Sequence, residues 1–280
     1  MDQAMEARIG IVGAGRMGLA MLKHLVAGGY RVTVCDLSET QRERARDAGA
    51  EIVVSPAELG RNADFVIIGV GFDEEAIAVV EGEDGLLQTL APGAIVAISS
   101  TVAPATVRAL AEAAAQKSVG VLDAPICRGR WAADAGELLA LFGGTDDVVA
   151  RSRPIFETFC SDIAHLGDVG HGQVAKTMNN LLLWVNGVAL IEAGRLAETT
   201  GIDLPKLRDA LLMSSGNSAA LEDWDMISFT WALKDMQIVA GMADEAQLSM
   251  PVAGAIRELV KDAKRIKAGS PPAWTRADPT

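Results

Sequence analysis

Three stretches of the 280-residue chain place chemically able side chains at spacings that chemistry needs. In Gly170-His171-Gly172-Gln173-Val174-Ala175-Lys176-Thr177-Met178-Asn179-Asn180, residues Gly172, Lys176 and Asn180 recur every four positions. That interval stacks them along one face of a helix. A lysine desolvated on such a face, beside Arg128, is equipped to give or take a hydroxyl proton, and an amide one turn on can hold the hydroxyl. A solvated lysine at a helix start is the ordinary alternative; the flanking glycines and Asn180 weigh against it.

The second stretch opens the chain. Gly13, Gly15 and Gly18 have GxGxxG spacing between the β-branched run ending at Val12 and an Ala/Leu-rich segment. Gly13 permits a tight turn, Gly15 lets a pyrophosphate approach the backbone, and Gly18 lets helix pack on strand. Ala14, Arg16 and Met17 complete this cofactor loop, where helix N-terminal amides face phosphates. Asp36 lies 21 residues past Gly15 and ends a second β-branched run, the place from which a carboxylate bonds the adenosine ribose. A carboxylate there repels a 2′-phosphate, so NAD is favoured, while Arg42 and Arg44 keep NADP possible. The third stretch, Asp123 to Arg130, brings together the Cys127 thiol, the Arg128 guanidinium and Gly129. Arginine offers a two-pronged fork to an anion, which makes Arg128 a candidate substrate ligand; decoration of a surface loop is its alternative.

These residues need a scaffold, and the first half of the chain supplies one. Candidate strands at 8–12, 31–35, 65–70, 95–99 and 119–122 alternate with helical patterns at 17–27, 40–48, 74–81 and 104–116. Such βαβ alternation predicts an N-terminal Rossmann-type, doubly wound parallel sheet over residues 1–167, which a further run at 138–142 would close. Residues 168–280 read as an all-α domain, with helical patterns at 173–199, 205–213, 231–247 and 252–267. The first of these is apolar on nearly every face from Leu181 to Ile191 and is expected to be buried all round, in its own domain or against another subunit. A homodimer or homotetramer is therefore expected. The Pro-rich tail from Gly269 is expected to fray.

Composition narrows the partners. A formal net charge of −12 repels phosphate backbones and anionic lipid, so neither nucleic acid nor a membrane surface is expected. The cysteines Cys35, Cys127 and Cys160 form no CxxC pair, and no histidine pattern has metal-ligand spacing, so no metal is expected. The start of the chain is acidic where a secretory leader would be basic, and the apolar stretch 181–191 is too short to span a bilayer. A reduced, cytoplasmic protein is the reading.

The glycine turn and the Asp123–Gly129 stretch together resemble the β-hydroxyacid dehydrogenase family, which includes 3-hydroxyisobutyrate and 6-phosphogluconate dehydrogenases. In that family an Asp-Ala-Pro-Val-Ser-Gly-Gly loop holds the substrate carboxylate through hydroxyl and N–H groups. Asp123, Ala124, Pro125 and Gly129 match it, whereas Cys127 replaces the serine and Arg128 the first glycine. An arginine here is similar to the sulfolactaldehyde reductase branch, where it faces a sulfonate or carboxylate. The Gly170–Asn180 stretch resembles the family's Gly-x-Gly-x-x-x-Lys-x-x-x-Asn segment at every specified position, which implies Lys176 as general acid–base and Asn180 as substrate holder.

Further matches fill out the site that the resemblance implies. Ser100 and Thr101 align with a Ser-Thr pair on the nicotinamide side, Ser100 toward substrate and Thr101 toward cofactor. Val70 and Gly71 line the path to the nicotinamide, and Lys234 belongs to a Lys-Asp pair whose lysine reaches cofactor or substrate. The implied activity is reversible, NAD(P)-dependent hydride transfer with a small anionic hydroxy acid or semialdehyde. Imine reductases share the architecture but typically lack the lysine. A noncatalytic dinucleotide-binding module, binding NAD without turnover, is the other alternative.

Overall fold

The β-branched runs of the first half become strands because each is short, bounded by turn residues and apolar on both faces. The computed structural model describes residues 7–275. The elements run β1 (Arg8–Val12), α1 (Arg16–Ala27), β2 (Arg31–Cys35), α2 (Glu39–Asp47), β3 (Glu51–Val53), α3 (Pro56–Gly60), β4 (Phe65–Ile68), α4 (Asp73–Glu81), β5 (Ile95–Ile98), α5 (Pro104–Ala115) and β6 (Gly120–Asp123). Their strands form a parallel sheet in the order β3-β2-β1-β4-β5-β6. This is the predicted doubly wound arrangement, and its order reverses between β1 and β4, where such sheets bind ligands at their carboxyl ends. Register fixes what stands there. Val12 pairs with Ile68 and Ile68 with Ile98, so Gly13, Gly69 and Ser99 leave the sheet side by side.

Alternation along the strands builds two cores. Ile9, Ile11, Ile67, Ala97 and Leu122 pack on one face, and Val66, Ile68, Val96, Ile98 and Val121 on the other. Each large aliphatic buried this way contributes ~1.5–3 kcal/mol of transfer free energy, offset by chain entropy.

The run at 138–142 does not close this sheet. As β8 (Leu138–Phe142) it pairs antiparallel with β7 (Ile126–Cys127) and parallel with β9 (Cys160–His165) in a separate three-stranded sheet, with α6 (Gly129–Ala135) and α7 (Asp146–Phe156) between. Among the described residues, an isolated bridge, Asp123 to Gly143, joins it to β6. The turn after Asp123 redirects the chain, and that choice of neighbour is non-local.

The chain divides into two compact units, Met1–Lys176 and Thr177–Thr280. The division falls inside the long helix α8 (His171–Glu198), whose first turn belongs with the sheet. The second unit continues with α9 (Leu204–Leu212), α10 (Ala219–Glu222), α11 (Ala232–Glu245) and α12 (Pro251–Gly269), all helical as expected. Its core gathers Trp184, Ile191, Trp224, Phe229, Met236 and Val260. Within this chain α8 leaves Leu182 63% exposed, so burial of its whole apolar stretch would take another subunit, the second of the two arrangements expected for it. One expectation fails here. The tail does not fray at Trp274, which is fully buried and donates its indole N–H to the Leu190 carbonyl at 3.1 Å. An aromatic ring with a polar handle outweighs the neighbouring prolines.

Candidate active site

The glycine turn joins β1 to α1 with the expected close contacts. Gly13 has φ +94°, and a Cβ there would strike the Gly69 carbonyl; one on Gly18 would strike the Gly13 carbonyl. At Gly15 a Cβ would meet nothing within 4 Å, so this backbone faces open space, as a pyrophosphate requires. Asp36, just past β2, accepts from Ala14 N at 2.7 Å and from Ser38 N at 2.8 Å. Its carboxylate is thereby fixed beside the turn, where ribose hydroxyls would meet it. Arg42 is engaged by Glu39 and by the Asp36 carbonyl. Met17 is half-buried behind the turn and packs against the core. These residues fit a dinucleotide. The guanidinium of Arg16 leaves the loop to pair with Asp134 of α6.

Ser100 ties neighbouring strand ends together. Its hydroxyl accepts from Val70 N at 2.8 Å and lies 3.4 Å from the Ile68 carbonyl, while Gly71 N donates to Glu75. Thr101 follows, half-buried. The Ser100 carbonyl in turn accepts from the Gln173 side-chain amide at 2.7 Å, and Gln173 Oε1 receives Val102 N at 3.2 Å. Gln173 is wholly buried. The first turn of α8 is therefore fastened to the carboxyl edge of the sheet.

Asp123 is the second fastener. Its fully buried carboxylate accepts from Gly170 N and Gln173 N, each at 2.8 Å, satisfying backbone donors at the start of α8. Burial pushes its carboxyl above the usual range, although these N–H groups pull the other way. Held from both sides, α8 presents Lys176 to the loop after β6. Nζ donates to the Ile126 carbonyl at 2.8 Å and contacts Cys127 Sγ at 3.6 Å. Within the first unit, hydrogen bonds thus link Ser100 through Gln173 to the start of α8, and α8 carries Lys176 onto Cys127. His171, beside them in sequence, is exposed.

Arg128 does not join them. Its Nη1 donates to Asp162 Oδ2 at 2.6 Å, Ser161 Oγ at 2.9 Å and the Glu137 carbonyl at 3.1 Å. Hydrogen bonds from Arg128 and Ser161 hold the Asp162 carboxyl below the usual range. The Nη1 arm of the fork expected to grip substrate is engaged by Ser161 and Asp162 of β9 and by the Glu137 carbonyl, and an acidic strand residue 34 positions away gave no local warning. Arg128 also carries φ +81° and Gly129 φ +71°, so the loop turns left-handed at two successive residues.

In the helical unit, Asn180 is buried and donates to Asp235 Oδ2 at 2.9 Å, accepting from Asn179 at 3.0 Å. The same Asp235 oxygen accepts the Trp184 indole N–H at 2.9 Å, and Lys234 Nζ lies 3.5 Å from Oδ1. Asp235, itself 4% exposed, is thus a buried hub rather than half of a surface ion pair. Sequence reasoning assigned no role to Asp123, Gln173 or Asp235. Asp123 had a signal, a carboxylate ending an apolar strand run, and Asp235 had one as the acid of the Lys-Asp pair; Gln173 had none beyond lying at an unspecified position of the Gly170–Asn180 segment.

Among the described residues, no cluster of His, Cys, Asp or Glu could hold a metal ion, and no helix is long and apolar enough to cross a membrane. Residues 8–167 match a family model described as the NAD-binding domain of 6-phosphogluconate dehydrogenase, and residues 170–271 one described as NAD-binding of NADP-dependent 3-hydroxyisobutyrate dehydrogenase. The chain is 35% identical to an NAD-dependent L-serine dehydrogenase of Pseudomonas aeruginosa, over 77% of this chain and 72% of that one. It is 37% identical to a 3-hydroxyisobutyrate dehydrogenase of the same organism, over 76% and 72%. Among solved structures, Mycobacterium tuberculosis 3-hydroxyisobutyrate dehydrogenase with L-serine superposes with a TM-score of 0.82 at 25% identity, covering 95% of both chains.

Proposed function

This chain belongs to the β-hydroxyacid dehydrogenase family, and from that premise we propose that it oxidises a small hydroxy acid reversibly, with Lys176 as general acid–base. Gly13, Ala14, Gly15 and Gly18 would hold the phosphates of a nicotinamide dinucleotide, Asp36 its ribose, and Val70, Gly71 and Thr101 would line its path along the sheet edge; the bound nicotinamide would supply the hydride acceptor or donor. NAD is the preferred form, because Asp36 repels a 2′-phosphate and the nearby Arg42 is already paired with Glu39.

One observation carries the reading: Lys176 Nζ stands against the Ile126 carbonyl and the Cys127 thiol, in the same unit as the glycine turn. In the oxidative direction its amine takes the hydroxyl proton as the carbonyl forms; in reduction the ammonium returns it. Asn180, one turn on along α8, gives one amide N–H to Asp235 and offers the other to the substrate oxygen. The relatives named for 3-hydroxyisobutyrate and L-serine act on carboxylates, which supports an anionic substrate here. With Arg128 Nη1 engaged by Asp162, backbone N–H groups of the loop at Gly129, together with Cys127, are assigned the anion-binding role, while Ser100 ties the neighbouring strand ends. Exposed Leu182 and Leu196 support assembly into a dimer or tetramer, which sedimentation would register.

The test is turnover of purified protein with NAD and NADP against a panel of short hydroxy acids, including 3-hydroxyisobutyrate, L-serine and L-threonate, with Lys176→Ala beside it. Oxidation of at least one, abolished by the substitution, is expected. NAD binding without turnover of any would return the chain to a noncatalytic dinucleotide-binding module.

A further inference from the structure

We propose that Cys127 and Lys176 form a reversible, hydroperoxide-triggered sulfur–nitrogen cross-link, a modification site built into the loop after β6. The two atoms already touch: Sγ lies 3.6 Å from Nζ. The contact is held, because Lys176 also grips the adjoining Ile126 carbonyl at 2.8 Å, and α8 is fastened in place through Asp123 and Gln173.

The chemistry balances with a hydroperoxide as oxidant. The thiol attacks the peroxide O–O bond, giving a sulfenic acid and, from hydrogen peroxide, one water. The Lys176 nitrogen, its ammonium proton first passed to solvent, then attacks sulfur; an S–N bond forms, the S–O bond breaks, and the departing hydroxide takes one amine proton as a second water. Thiol, amine and hydrogen peroxide thus become a sulfenamide and two waters. Two equivalents of an external thiol reverse it, one opening the S–N bond to a mixed disulfide and the next releasing Cys127 as the external disulfide forms.

The other two cysteines are poor competitors. Burial pushes the Cys35 thiol up to about 11 and the Cys160 thiol up to about 12, which keeps both as unreactive thiols at neutral pH. That the cross-link silences turnover rests on the role proposed above for Lys176; that it forms rests on the contact alone.

The experiment treats the full-length protein with graded hydrogen peroxide, follows intact mass and mapped peptides, and assays the same samples. A mass lower by two hydrogen atoms, peptides of Cys127 and Lys176 joined, activity lost in proportion, and both changes undone by dithiothreitol are expected. The joined peptides should be missing from the Cys127→Ser variant. Cys127 carrying added oxygen while Lys176 stays in a separate, unmodified peptide would overturn the proposal. So would a Cys127 thiol that remains free while other residues oxidise. Joined peptides with undiminished turnover would support the cross-link and instead remove Lys176 from the reaction.

Discussion

Asp123 Oδ2 accepts the backbone N–H of Gln173 at 2.8 Å, and through that bond the last residue of β6 sets where α8 begins. Lys176 follows three residues later, so its position depends on a carboxylate that makes no direct contact with it in the hydrogen-bond network. Asp123→Asn would turn an N–H donor toward backbone donors already committed to the site. Leaving such buried groups unsatisfied costs about 1–3 kcal/mol each. The expected result is a lower urea midpoint together with a kcat reduced more than KM is raised. Unchanged stability and kcat would show that α8 is anchored by Gln173 alone.

Arg128→Gly separates two roles. Glycine relieves the left-handed backbone at φ +81°, worth about 1–2 kcal/mol, and gives up an exposed ion pair worth about 0–1 kcal/mol along with some chain entropy. Stability should therefore change by no more than ~1 kcal/mol by these terms. KM for the hydroxy acid should stay within a few-fold of the parent. A large rise in KM, confined to anionic substrates, would put the guanidinium at the substrate after all.

Asp36→Ala removes the acceptor for Ala14 N and the repulsion of a 2′-phosphate. Hydrogen bonds to charged groups are worth ~1.5–3 kcal/mol, so the ratio of kcat/KM for NAD over NADP should fall by about 10- to 100-fold. Parallel steady-state kinetics with the two cofactors read this directly; an unaltered ratio would remove Asp36 from cofactor choice.

Acid stability tests one surface pair. Arg8 bonds the Asp64 carboxylate through Nε at 3.0 Å and Nη2 at 2.8 Å, and this holds the carboxyl below its usual range. A depressed folded value means the stabilisation is present above the unfolded carboxyl value of about 3.9 and is lost as pH falls through the folded value. Both groups are about half exposed, so the loss is small, below ~1 kcal/mol. Chemical denaturation of Arg8→Ala should show a shallower decline on that acid limb than the parent.

Local pattern was enough for much of this fold. Strands β1 and β2 and the helices α1, α5 and α8 fall within two residues of their predicted bounds, because hydrophobic period and Pro or Gly punctuation lie within each segment. The three-residue β3 and the largely exposed β9 carry no such period and were not foreseen. The run at 138–142 reads as a strand from its pattern, but its place in a separate sheet does not, since pairing depends on where the chain turns after Asp123. The site divides the same way. Spacing within a strand–turn–helix context singles out Gly13, Gly15 and Gly18, and spacing together with the family resemblance singles out Lys176 and Asn180. Whether Arg128 faced a ligand or Asp162, and that Asp235 would hold both Asn180 and Trp184, depended on partners far away in sequence.

The most direct test of the account is Lys176→Ala, measured for both NADH binding and turnover of the best hydroxy-acid substrate. The residue's proposed work is proton transfer, which contributes about 10²–10⁴-fold to rate. NADH affinity, followed by fluorescence titration, should stay within a few-fold of the parent while kcat falls by at least about 100-fold. Turnover within a few-fold of the parent would contradict the assignment of Lys176 as the general acid–base.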